Sequence, residues 1–82
     1  MILEPADGSV LDEGGVVVRG LAPAGATVTR DIPLWFDEHT RADALGRWSM
    51  AVRLAPGENV LTFRLGSDQA TARQITVHYS PD

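Results

Sequence analysis

Few residues of this chain could do chemistry: two histidines, His39 and His78, two acidic pairs, Asp12-Glu13 and Asp37-Glu38, and two tryptophans, Trp35 and Trp48. Nucleophilic catalysis needs a Ser or Cys with a positioned base and an orienting acid. The chain has no cysteine and no serine flanked by glycines in the manner of a nucleophile elbow. The histidines lack partner ligands at metal spacing and read as surface residues, with His78 on the outward face of a strand. A glycosidase holds two carboxylates a few ångströms apart across a cleft, and neither acidic pair specifies that arrangement by its spacing. Calcium is the milder alternative for loop carboxylates, but the spaced Asp/Asn series of an EF-hand loop is missing. Both acidic pairs therefore read as solvated turns. Phosphate-cradling loops place glycines at the opening of a helix, whereas Gly14, Gly15, Gly20 and Gly25 fall between strand candidates. No catalytic residue, metal ligand or cofactor is expected.

Trp35 carries the sharper hypothesis. If Leu34 and Phe36 face the core, Trp35 faces solvent, where an exposed indole is a platform for a sugar ring or a partner side chain. The opposite register buries Trp35 as the cap of an open sheet edge. Beside it stand Phe36 and the polar run Asp37-Glu38-His39-Thr40-Arg41, so the candidate ligand-binding set is Trp35, Phe36, Asp37, His39 and Arg41. Trp48 reads as core.

The elements that must position these residues are short apolar alternations, separated every eight to twelve residues or so by Gly, Pro, Asp and Asn, the rhythm of a sandwich or small barrel. Ile2 to Glu4 forms a first strand stopped by Pro5, Asp7 and Gly8, with Val10 and Leu11 resuming the same edge. Val16 to Arg19 and Ala26 to Thr29 follow, with Val16, Val18 and Val28 inward. From Arg30 to Ala42 the alternation of Ile32, Leu34 and Phe36 allows a strand, which Pro33 confines to an edge or a bulge. Trp48, Met50, Val52 and Leu54 share one face of a clear strand. Pro56 and Gly57 fit the centre of a type II turn. Leu61, Phe63 and Leu65 then point inward with Thr62 and Arg64 outside. After a loop from Gly66 to Ala70, Ile75, Val77 and Tyr79 point inward, with Gln74, Thr76 and His78 outward. The expected fold is all-β, an Ig-like β-sandwich of about seven antiparallel strands.

Size and composition agree. The 82 residues suffice for one domain, a single module spanning 1–82 and expected to belong to a larger protein. The apolar share is 44%, with no run long enough to cross a bilayer. A net charge of −4, with all seven cations arginines scattered singly, argues against nucleic acid. These arginines read as solvated strand faces. Without cysteine, stability must come from packing rather than disulfides. Met1-Ile2-Leu3-Glu4 opens no signal peptide, so any export signal is expected outside this sequence.

Several local patterns occur in one order: Pro5-Ala6-Asp7-Gly8-Ser9-Val10, Val16-Val17-Val18-Arg19-Gly20 and Pro23-Ala24-Gly25-Ala26-Thr27-Val28. Asp43-Ala44-Leu45-Gly46-Arg47-Trp48-Ser49 and Leu54-Ala55-Pro56-Gly57-Glu58-Asn59 come next, and then the closing strand to Tyr79. Asp43 can cap a turn whose glycine is left-handed, and Asn59 can close the Pro-Gly turn through its side chain. This series resembles the bacterial Ig-like domains found as accessory modules of secreted and surface proteins, in particular the glucodextranase B-domain type. The resemblance implies a non-catalytic spacer, extracellular or at the cell envelope, whose partners are the neighbouring domains of its parent chain. The alternative is a carbohydrate-binding module that meets a polysaccharide or cell-envelope glycan through the Trp35 region. Neither nucleic-acid binding nor membrane insertion is expected.

Overall fold

The computed structural model describes residues 1–81. Along them run eight strands: β1 (Ile2–Glu4), β2 (Val10–Leu11), β3 (Gly15–Leu21), β4 (Thr27–Asp31), β5 (Glu38–Arg41), β6 (Arg47–Arg53), β7 (Gly57–Leu65) and β8 (Asp68–Tyr79). They form two sheets, one of three strands in the order β1-β3-β6 and one of five in the order β2-β8-β7-β4-β5. The class is all-β and sandwich-like, with one strand more than the sequence pattern implied. One pair, β2 with β8, is parallel rather than antiparallel.

The two-residue period decides which side chains meet between the sheets. On β6, Trp48, Met50, Val52 and, just beyond it, Leu54 are buried, and they face Leu61 and Phe63 of β7 and Ile75 and Val77 of β8 in one cluster with Val18 and Val28. Leu65 and Tyr79 are partly buried against it. Trp48 and Phe63, on opposite sheets, bring their rings to 5.3 Å. Gly20 stands directly across from Trp48 in the β3–β6 ladder, and a Cβ there would enter the Trp48 ring. The indole thus lies flat on backbone.

Two turns form for the reasons their residues imply. Asp43 accepts the backbone N–H groups of Leu45 and Arg47 at 2.9 Å each, and Gly46 takes a φ of 79°. The Arg47 N–H is the main reason the Asp43 carboxyl titrates below its ordinary range; desolvation opposes it and comes next in size, and the Leu45 N–H and the Arg47 guanidinium add to the lowering. At the Pro56-Gly57 turn, Gly57 has a φ of 95°, and the Asn59 amide bonds both the N–H and the carbonyl of Ala55 at 2.9 Å.

Other segments differ from the sequence pattern. Val10 and Leu11 do not resume the β1 edge but cross to the other sheet. Asp7 accepts the Thr76 N–H and Gly8 donates to the Thr76 carbonyl, both at 2.7 Å, which draws the chain to β8. No strand runs through Ile32 to Phe36; the partner of β4 is β5, with Arg30 opposite Glu38 and Thr27 opposite Arg41. Pro33 has no N–H to offer a ladder, and Leu34 has a φ of 61°, outside the extended region. The segment after β7 is a tight hairpin rather than a loop to Ala70, because Gly66, with a φ of 52°, turns the chain at once into β8.

Candidate functional site

The β4–β5 connection, residues 32–37, is where the sequence placed its aromatic candidate, and its base is built from charges. Arg64 lies on the outer face of β7, where the two-residue period puts it, yet its side chain is only 10% exposed. Its guanidinium pairs with Asp31 at the end of β4 and with Asp37 Oδ2 at 3.1 Å. One cation therefore holds both ends of the loop. On the neighbouring rung, Arg30 Nη1 pairs with Glu38 Oε1 at 2.9 Å. Within the loop the Ile32 N–H reaches Asp37 Oδ1 at 3.4 Å and the Trp35 N–H reaches the Ile32 carbonyl at 3.3 Å. Arg30 and Arg64 are thus half-hidden partners of carboxylates rather than solvated strand faces, and Asp37-Glu38 is an anchor rather than a free turn.

Above this base, three consecutive apolar residues project into solvent. Leu34 is as exposed as in an extended chain, Trp35 is 72% exposed and Phe36 81%. Neither strand register holds: Trp35 is exposed, but so are Leu34 and Phe36, because a period of two belongs to a strand and this segment turns. The Trp35 and Phe36 rings meet edge to face, 5.7 Å apart at 65°.

The remaining candidates sit on β5. His39 and Arg41 occupy alternate positions on the strand and share its outer face. His39 Nδ1 is 2.9 Å from the hydroxyl of Thr29, which is itself buried. Arg41 stands exposed opposite Thr27. Asp37 is brought to Arg64, whereas the aromatic tip and the β5 pair are held by separate sets of bonds. His78 lies exposed on β8 opposite Glu58, and Asp12 and Glu13 lie exposed before β3. Among the described residues no group of three His, Asp or Glu side chains is placed to hold a metal ion.

The residues missed by the sequence pattern are the anchors Asp31, Arg30 and Arg64. One signal for them was present: acidic residues at 31 and 37 bracket the Pro-Leu-Trp-Phe run. Their cation was not legible, because it arrives from β7 through a register that local spacing does not encode.

The fold and this site define a class, an all-β two-sheet domain that carries an ion-paired loop with an apolar tip. The chain matches no family model, and no curated protein or solved structure matches it.

Proposed function

We propose that the chain is a non-catalytic Ig-like accessory module of a secreted or surface bacterial protein, a spacer that sets the distance between its neighbours. The observation that carries this reading is the placement of its two ends. The Met1 amino group donates to the Leu21 carbonyl, at the end of β3, at 2.8 Å. The Tyr79 ring instead lies over Gly14, just ahead of the start of that strand. At ~3.3 Å per residue the length of β3 separates these points by about 20 Å, along a molecule 39 Å in its longest dimension. The chain enters at one end and leaves at the other.

The Ig-like part of the reading is supported by strand order. β1, β3 and β6 take the places of strands A, B and E, and β4, β7 and β8 those of C, F and G, with β5 beside C as in variable-type domains. The resemblance to bacterial accessory domains supports the extracellular setting.

A carbohydrate-binding role for Trp35, Phe36, Asp37, His39 and Arg41 is the second reading, and the exposed indole favours it. It ranks second because Asp37 is committed to Arg64 and His39 to Thr29, and because crossed rings give a ridge rather than a flat platform.

Spin labels at Met1→Cys and Ser80→Cys, unique sites in a chain without cysteine, test the spacer by pulsed electron resonance. One narrow distance of about 20 Å or more is expected from the length of β3; a broad or much shorter distribution would remove the reading. Titration with soluble polysaccharides and peptidoglycan fragments decides the second: a saturable shift of the Trp35 indole, with Trp48 unmoved, would make the module a glycan binder.

A further inference from the structure

The apolar tip has a counterpart at the other end of the molecule. Asp31 pairs with Thr62, three residues before the end of β7, and the loop continues from there toward the end where Gly57 and Tyr79 meet. Toward the opposite end, between the sheets, opens a cavity of about 220 Å³ lined by Ile2, Leu21, Trp48, Phe63, Leu65 and Ala70, with Arg64 reaching its inner side and, among the described residues, no carboxylate in its lining. A dry cavity of ~150 Å³ suffices for benzene, so this one has room for an aromatic side chain. Arg73 stands on its rim, outside the ion pairs formed among the described residues. At the base of the tip, three carboxylates, Asp31, Asp37 and Glu38, outnumber two guanidiniums, Arg30 and Arg64, so the two rims carry opposite excess charge.

We propose that Trp35, flanked by Leu34 and Phe36, is a plug that seats in this cavity on a second copy of the chain. The inference deepens the spacer reading and rests on it: plug and socket lie at the two ends that a row of such modules would bring together. Because they are different surfaces, the contact is heterologous and does not close on itself, so copies add head to tail. Each exposed aromatic has ~150–250 Å² to bury, so the two sides together bury on the order of 800 Å². That is below the ~1,200 Å² at which stable interfaces begin. Separate chains therefore associate weakly, and covalent linkage, which raises local concentration to about the millimolar range, makes the contact count.

Two variants test it. Leu34→Ser/Trp35→Ser/Phe36→Ser removes the plug and leaves the socket; Ala70→Arg blocks the socket mouth at an exposed position and leaves the plug, with Arg73→Glu as a second, milder block. In sedimentation and NMR diffusion at about millimolar concentration, the unaltered chain should grow with concentration, and each variant alone should lose at least about ten-fold in association. Mixed, the two variants should form a one-to-one pair and stop there, since one intact plug meets one intact socket. An unaltered chain that stays monomeric overturns the proposal, as does a mixture that fails to pair, which would mean tip-to-tip contact. A Trp35 shift with glycan or lipid vesicles and no self-association overturns it too. The label distance measured on the plug-free variant separates this failure from failure of the spacer reading.

Discussion

Arg64 reaches Asp37 across 27 positions of sequence, placing Nη2 at 3.1 Å from Oδ2, and so ties the outer face of β7 to the last residue of the β4–β5 loop. The same guanidinium meets Asp31, the last residue of β4. The shape of the tip thus depends on a strand that does not belong to its own hairpin.

Removing that cation should be costly. Arg64→Met keeps most of the side-chain bulk but leaves two carboxylates, each about a third exposed, facing one another. The loss should be about 3 kcal/mol, the low end for breaking a buried pair, because solvent screens the stranded acids. Urea unfolding measures it, and Asp31→Asn added to Arg64→Met should recover part of it. An unchanged midpoint would mean that the pairs are incidental.

Leu34 sits at a φ of 61° with its side chain in water. Neither its conformation nor its environment favours leucine over glycine. Leu34→Gly should raise stability by roughly 0.5–1 kcal/mol, less whatever the more flexible unfolded chain takes back. The same change should weaken self-association. Stability and association moving in opposite directions, read by thermal melts and sedimentation, would mark Leu34 as a residue kept for contact.

Asp43 gives the pH dependence. Its carboxyl is held below its ordinary value of 3.8, first by the Arg47 N–H. A group whose folded pKa is depressed stabilises the fold above its unfolded pKa and loses that contribution as pH falls through the folded value. Acid should therefore weaken the Asp43 turn as pH drops past 3.8. Asp43→Asn should be less stable than the parent near neutrality, with the difference shrinking toward about pH 2. Denaturant midpoints across that range read the convergence, and parallel curves would exclude the turn as its source.

Much of the fold was legible where a strand is half-buried and regular. Trp48, Met50, Val52 and Leu54 announced β6, and Asp43, Gly46, Gly57 and Asn59 announced its flanking turns, because each choice acts over a few residues. β5 was not legible: Glu38-His39-Thr40-Arg41 is an edge strand with no apolar alternation, while the neighbouring Ile32, Leu34 and Phe36 imitate one. β2 has only Val10 and Leu11, too few to declare which sheet they join. Trp35 was singled out by its type and by its place in an alternation that the loop does not keep; the Arg64 pairs that close the loop beneath it span too much sequence for a local pattern to reveal.

The parallel pairing of β2 with β8 has a mechanical consequence. Val10 and Leu11 lie beside His78 and Tyr79, with the His78 N–H on the Ser9 carbonyl and the Ser80 N–H on the Leu11 carbonyl, each at 2.8 Å. Tension applied to the two ends of the chain pulls these adjacent strands in opposite directions along their common axis. The bonds between them are then loaded together, in shear, instead of being peeled open one after another. A module built this way resists stretching at the seam where β2 meets its last strand, β8.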